Sequence, residues 1–586
     1  MIRKTTSFVV IISVVVISLA FAAMAMIDTE VLARFFTHQY LASRAGVEIR
    51  PVTLQGAEWF RTMCVLSAVV WAITAWILAR SVRKNESAAT PSNTALDFIQ
   101  KSPTTSRLRF ALFCAISVGV IERVWRISES LWFDEISALI DYTQYGPGAI
   151  FGTYFVQSNH VLHTLLSWCA LTIAGGASEP VLRMPAFFAG IASIAAIVAL
   201  VREAALWQGV PTRARMSLVC GIAALSPIMV LESVEARGYS MMILFAALAS
   251  WMFLRALRTE RSLSWIAYSI LCALGILSHL VFVVLPISHG AIATWMIIRP
   301  RPRTNDRMRG CGAILAVTLA GITTITLLAP LLPDLLRIRR EFQALDGNEP
   351  TIFSVEGLHV LLDLGGAWTP LAALPGIGLL IIGLFGARRD PSRRIPFAVT
   401  LLGLPILIIG TELGGSWMYA RFALFALPGI FLAITLGAFD VAQFLRQRDA
   451  NGLRVNGALI LGAFAIAAIW IESLASLPPK QPIRDGVFYI RNQDPSISEI
   501  ASLGLADNVV SYYGILAGMN VQSIGVRGVT IDEVPTNIQW MIVLYPRSIA
   551  VGTSKVLNEN WMLAETFPGW VDWGNGDVLV YRRNEE

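Results

Sequence analysis

The sequence predicts a polytopic α-helical membrane protein, with about thirteen transmembrane helices and a small C-terminal α/β domain. Three observations lead there. The 586 residues are 55% hydrophobic and only 15% charged, whereas soluble chains carry nearer a quarter charged residues. Apolar runs of roughly 20 residues, enough to cross a bilayer, recur from the N-terminus to about residue 476. The connections between them alternate between short basic segments and longer ones with more acids and aromatics.

The first run follows MIRKTT and resembles a signal peptide, but it is long and lacks a small-residue cleavage site, so it reads as a retained span over about 7–27. Further spans are expected at about 62–79, 108–127, 181–201, 215–231, 239–257, 263–278, 280–298, 311–331, 369–386, 396–411, 423–445 and 456–476. The basic connections are RSVRK (80–84), Arg202 with Arg213 and Arg215, RALRTER (255–261), RPRPRTNDRMR (299–309), ARRDPSRR (387–394) and RQRDANGLR (446–454). By the positive-inside rule these face the cytoplasm. Parity then puts 28–61, 129–180, 231–238, 332–368, 412–422 and everything after about 477 outside, as in a multi-pass protein of a bacterial inner membrane. HVLHTLLSWCALTIAGG (160–176) is apolar, but counting it would invert every later loop, so it reads as a helix at the outer surface.

This gives three parts. Residues 1–107 hold two spans and a polar linker at 85–106, 108–476 the main helical region, and 477–586 an extracytoplasmic domain. In that domain VFYI (487–490), NVVSYY (508–513), WMIVLY (540–545) and DVLVYRR (577–583) read as strands, and 496–505 and 554–562 as helices. The six cysteines form no CxxC pair, so no disulfide framework or zinc site is expected.

Charge on the outer side marks the candidate chemistry. Asp134 and Glu135 follow a span directly beside Trp132 and Phe133, where a carboxylate can act as general base. Asn159 and His160 lie in the same loop. The very short next loop holds Glu232, Glu235 and Arg237, with Tyr239 beside them, and charges so near hydrocarbon are costly unless paired or functional. Arg183, Arg337, Arg340 and Arg421 are outward arginines, suited to gripping a lipid-linked phosphate with paired hydrogen bonds. A solvated loop acid, a structural ion pair or an interfacial snorkelling arginine is the plainer account of any one of them. Nothing points to nucleic acid, because the basic residues are spread over short connections between spans.

The order of these motifs resembles the GT-C superfamily of membrane glycosyltransferases, in particular the group of protein O-mannosyltransferases and the lipid A aminoarabinose transferase. The matching segments are LWFDE (131–135), QSNHVLHTLL (157–166), EPVLRMP (179–185), SPIMVLESVEARGYS (226–240), HLVFVVLPISH (279–289) and YARFALFALPG (419–429). They span about 108–430; Val161 departs from the family's usual proline after Asn-His. The resemblance implies an inverting glycosyltransferase that moves a sugar from a polyprenyl-phosphate donor to a lipid, glycan or protein acceptor outside the cytoplasm. It implies Asp134 as catalytic base, Glu135 and Glu235 as acidic partners, and Arg421 as a ligand of the donor phosphate. No metal or other cofactor is expected. The rival reading is a lipid-linked-sugar flippase or transporter, which would place its ionisable groups near the bilayer midplane, often in repeated halves.

The topology can be tested directly. Alkaline phosphatase fused after residue 586 is expected to be active in bacteria, and green fluorescent protein at the same point dark. The opposite pattern would place Asp134 on the cytoplasmic side.

Overall fold

The computed structural model describes residues 2–84, 106–300, 305–343, 370–414, 419–448, 453–504, 509–524, 531, 534–549, 551–571 and 575–584. The polar linker at 85–105 and most of the 332–368 connection lie outside the described residues. Among the described residues, six helices are long and apolar enough to cross a membrane: Pro51–Arg80, Glu179–Gln208, Tyr239–Thr259, Leu280–Ile298, Asp306–Leu328 and Arg421–Gln447. Two bent pairs raise this to eight if each is one span: Ile11–Ala25 with Thr29–Phe36, bent by 99°, and Pro391–Leu401 with Gly403–Gly414, bent by 42°. The 215–231 stretch divides into Arg213–Leu225 and Pro227–Glu232, because Pro227 cannot donate a backbone hydrogen bond into a continuing helix.

Small polar groups join the first helices. Ser18 Oγ donates to the Ala68 carbonyl at 2.7 Å, Ser67 and Thr326 hydroxyls meet at 2.7 Å, and Trp71 Nε1 donates to Thr323 at 3.1 Å. Such bonds replace the hydrophobic driving force that lipid does not supply between helices. Backbones approach closely where Gly383 of Pro370–Arg389 faces Gly437 of Leu427–Arg448. A Cβ on Gly437 would collide with the Leu379 carbonyl, and one on Gly383 with the Ala433 carbonyl.

Between the spans, the segment after Arg126 forms short helices, Phe133–Asp141, Gly146–Gly152 and Val161–Ala174. The last has 14 residues; at about 1.5 Å per residue it is too short for a hydrocarbon core of about 30 Å.

The C-terminal part holds a five-stranded sheet of Glu499–Leu503 (β1), Asn520–Ile524 (β2), Trp540–Val543 (β3), Trp561–Phe567 (β4) and Val578–Arg583 (β5), in the order β2-β1-β3-β5-β4. β1 runs parallel to β2 and β3, and β5 antiparallel to β3 and β4. Three expected elements are corrected. VFYI lies in the helix Ile483–Gln493, where Ile483, Val487 and Ile490 are buried at helical spacing. The sequence NVVSYY gives the helix Val509–Leu516, which buries Val509, Val510 and Tyr513. Conversely, EIASL is the interior strand β1, paired on both sides, so its near-continuous burial carries no alternation to read.

One side of the domain's sheet packs within the domain, and the other side is shared with the helical region. Leu131, Trp132, Ile136, Leu139, Leu182 and Ala236 of the helical region share one apolar cluster with Ile483, Val487, Val510, Tyr513 and Ile542.

Gly437→Leu is expected to lower the melting temperature of the purified protein, by overpacking worth about 1–3 kcal/mol or more. Gly378→Leu, where an added Cβ meets nothing within 4 Å, serves as the neutral control. Equal melting of the two variants would discount the Gly383–Gly437 crossing.

Candidate active site

Two adjacent carboxylates begin the helix Phe133–Asp141, and the structure sends them in different directions. Glu135 turns inward as the N3 residue of a capping box, accepting from the Trp132 amide at 3.1 Å. It also binds the Arg183 guanidinium through two parallel bonds, Nη2–Oε2 2.7 Å and Nε–Oε1 2.9 Å, and the Ala236 amide donates to it as well. Neither side chain of the pair is more than 4% exposed. Arg183 spends its remaining N–H groups on the carbonyls of Ile127, Glu129 and Ser130, at 3.2, 2.7 and 3.0 Å. One buried ion pair thus ties the segment 127–135, the helix Glu179–Gln208 and the turn at Ala236 together.

Asp134 points to the surface of this assembly. Its side chain is 22% exposed, and Oδ2 lies 3.2 Å from Nη2 of the buried Arg237. Arg237 Nη1 also donates to the Ser158 carbonyl at 3.1 Å. Asn159 is held by its own loop, its Nδ2 donating to the Ile150 carbonyl at 3.0 Å and the Thr153 carbonyl at 3.3 Å. His160 donates from Nδ1 to the Ser278 carbonyl at 3.0 Å, since a carbonyl can only accept. Its ring meets those of Tyr239 and His279 at centroid distances of 5.1 and 4.9 Å. Burial first, and the Arg237 charge second, hold His160 well below the ordinary histidine range and bring His279 to about 3. A cavity of about 50 Å³ opens beside them, lined among others by Tyr154, Gln157, Asn159, His160 and His279.

Cations gather around Trp132. The Arg421 guanidinium carbon is 5.8 Å from its ring centroid and 4.4 Å from that of Tyr419. Lys480 Nζ is 3.9 Å from the Trp132 centroid and 5.0 Å from that of Trp570, and it pairs with Glu235 Oε1 at 2.6 Å. Lys480 is a site residue that the sequence reading missed. Its only signal was the setting LPPKQP, a charge between prolines directly after an apolar run. Gln481 follows it and accepts from the Phe133 amide at 3.0 Å. Glu232, also buried, is raised above its ordinary range by burial and then by the neighbouring Glu235 charge.

The structure therefore brings Asp134, Glu135, Asn159, His160, Arg183, Glu235, Arg237, Tyr239 and Arg421 into one connected neighbourhood. Arg337 belongs to a different cluster, around Asp334, which also takes Arg50 at 3.0 Å and the Tyr154 amide at 3.2 Å. The Arg340 side chain lies outside the described residues. Among the described residues, no group of three or more His, Cys, Asp or Glu is arranged to hold a metal ion.

Residues 160–328 match the family model described as dolichyl-phosphate-mannose-protein mannosyltransferase. This match falls within the region whose motifs resemble the GT-C superfamily and supports that resemblance. No curated protein matches the chain. Similar solved structures include ArnT from Cupriavidus metallidurans, at 12% identity over 81% of this chain and 98% of that one, with a TM-score of 0.49. The Archaeoglobus fulgidus oligosaccharyltransferase shares 13% identity over 77% and 71%, at 0.48, and the mycobacterial arabinofuranosyltransferase AftD 14% over 83% and 42%, at 0.41.

Removing one half of the buried Glu135–Arg183 pair strands the other charge. Arg183→Ala is expected to cost about 3–5 kcal/mol of stability, read as loss of folded protein in fluorescence-detected size exclusion. Arg183→Ala protein as stable as wild type would show that the pair does not hold the loops.

Proposed function

We propose that the protein is an inverting glycosyltransferase that takes a sugar from a polyprenyl-phosphate donor and delivers it to an acceptor on the extracytoplasmic face of the membrane. The observation that carries this reading is the split between Asp134 and Glu135. One carboxylate is consumed by structure, and the next stands partly exposed with an arginine behind it. In this reading the acceptor hydroxyl or amine attacks the anomeric carbon while Asp134 takes its proton. Arg237 keeps Asp134 oriented. Arg421 and Lys480, beside Trp132, stabilise charge developing on the departing lipid phosphate, a contribution that is often the largest single term in catalysis.

Glu135 and Arg183 are assigned a positioning role in this scheme, and Glu235 holds Lys480. Asn159 and Tyr239 shape the sugar side of the pocket. Arg337 and Arg340, at the head of the 332–368 segment, are proposed as outer donor contacts. No metal is assigned a role, because the three outer carboxylates Asp134, Glu135 and Glu235 already face Arg237, Arg183 and Lys480. The family match supports the donor class. The thirteen-span count, the inner membrane and the outward C-terminal domain belong to the same proposal. They rest on the charge pattern of the loops. A flippase or transporter remains the alternative. The acids argue against it, for they cluster at the ends of spans beside the soluble domain.

The test uses purified protein in nanodiscs, with candidate polyprenyl-phosphate sugars and a membrane extract as acceptor source. Asp134→Asn is expected to lose transfer by about 10²–10⁴-fold while still binding donor. Arg421→Ala should weaken donor binding by roughly tenfold to a hundredfold, the equivalent of one charge-assisted bond of about 1.5–3 kcal/mol. Near wild-type transfer by Asp134→Asn with none by Glu235→Gln would move the base to the second loop. Lipid movement without any transfer by the wild type would favour the transporter.

A further inference from the structure

Residues 29–50 precede every segment that carries the family resemblance, and the region matched by the family model begins at 160. They nevertheless reach the wall of the cavity beside His160, and they do so by two routes. The helix Thr29–Phe36 leaves Ile11–Ala25 at 99°. Arg61 fastens the bend, donating from Nη1 to Thr29 Oγ1 at 2.5 Å and from Nε to the Ala25 carbonyl at 3.3 Å.

The first route is a contact of backbones. The short helix Gly146–Gly152 lies against the end of Thr29–Phe36, where a Cβ on Gly148 would collide with the Phe35 carbonyl and one on Gly152 with the Phe36 carbonyl. Glycine weakens a helix, and here its missing side chain is what admits the neighbour. The same helix and the residue after it hold Asn159, through the carbonyls of Ile150 and Thr153. His38 adds a bond close by, donating from Nε2 to the Asp141 carbonyl at 2.7 Å, with its ring 4.1 Å from that of Tyr145.

The second route is an ion pair. Oδ2 of Asp334 accepts from Arg50 Nη2 at 3.0 Å and from the Tyr154 amide at 3.2 Å, and the Asp334 side chain is 2% exposed. The other cation at this carboxylate, Arg337, stands 3.4 Å away with its side chain 45% exposed, and pairs of that kind contribute little. Tyr154 and Asn159, the ends of the two routes, both line the cavity. The segment between 142 and 159 needs such support, because its helices have three and seven residues, far below the length at which a helix is stable alone. Asp134 does not need it, being aimed from the other side by the Glu135–Arg183 pair.

We infer that residues 29–50 are a positioning element for the cavity wall at Tyr154 and Asn159, with Arg50 and Asp334 as its positioning residues, so that they set how firmly a ligand is held beside His160. The tethering of 142–159 is independent of the transferase reading; its kinetic consequence, a change in donor affinity with little change at Asp134, rests on that reading.

Hydrogen–deuterium exchange of the full chain in nanodiscs tests the tether. Arg50→Met is expected to speed exchange across 142–159 by about tenfold while the strands of 499–583 exchange as before. Arg50→Lys keeps a cation for Asp334 and should stay within roughly twofold of wild type. Gly152→Leu, which acts on the first route, should reproduce the Arg50→Met pattern. Arg44→Met removes an exposed arginine of the same stretch and should change nothing. In transfer assays Arg50→Met is expected to raise the donor KM about tenfold with kcat within about threefold of wild type, the mark of lost uniform binding. Unchanged exchange over 142–159 in Arg50→Met would overturn the inference, as would an equal rise along the whole chain or in Arg44→Met. A loosened 142–159 with wild-type KM, or a loss confined to kcat, would overturn the positioning of the cavity wall. If the wild type transfers no sugar, the transferase reading fails and the exchange pattern alone decides the tether. Should Gly152→Leu not fold, the contrast between Arg50→Met and Arg50→Lys carries the test.

Discussion

The arrangement of the face that carries Asp134 depends on the buried pair of Glu135 and Arg183. Two loops and one long helix contribute to it, and between them the two side chains take bonds from two backbone amides and give bonds to the carbonyls of 127–130. A buried ion pair of this kind is a poor source of net stability, because desolvation cancels much of the attraction. Its value lies in geometry. With every donor and acceptor spoken for, the start of the helix Phe133–Asp141 has one position. The side chain before it, Asp134, is thereby aimed without having to be buried itself.

Around that fixed point, two acids of the site each meet a cation. Asp134 faces Arg237, Glu235 faces Lys480, and Arg421 stands against the rings of Tyr419 and Trp132. Asp134 and Arg237 lie 103 residues apart in the chain, and Glu235 and Lys480 lie 245 apart. Lys480 belongs to the stretch that leads into the C-terminal domain, so that domain supplies part of the site's charge as well as the apolar floor beneath Trp132.

Much of this was legible in the sequence, and the gaps have physical causes. The helical region could be read because lipid demands long apolar runs, and because basic residues mark one set of connections. Asp134, Glu135 and Arg237 could be named because charge beside hydrocarbon is rare. Their division of labour could not, since adjacent acids look alike until one is seen to meet Arg183. Lys480 was hidden because its partner Glu235 lies far away in sequence. In the C-terminal domain, Val509, Val510 and Tyr513 read as a strand because β-branched and aromatic residues favour strands when nothing else speaks. Packing against Leu131 and Leu182 decided for a helix. The buried strand β1 failed for the converse reason, its two covered faces leaving no alternation.

The Lys480 carbonyl accepts from the Val571 amide at 3.2 Å. Gly569 and Gly576 crowd the same oxygen, where a Cβ on either would come within 2.8 Å. The lysine is thus fastened from behind by a loop made some ninety residues later. During synthesis, Asp134 and Glu235 emerge long before the segment that secures their partner. Until the chain has passed residue 480, Glu235 lacks its cation, and until it has passed 576 that lysine lacks the loop behind it. An unfinished chain therefore carries the acids of this site before their lysine is fastened, and the loop that fastens it leads into the final strand of the sheet.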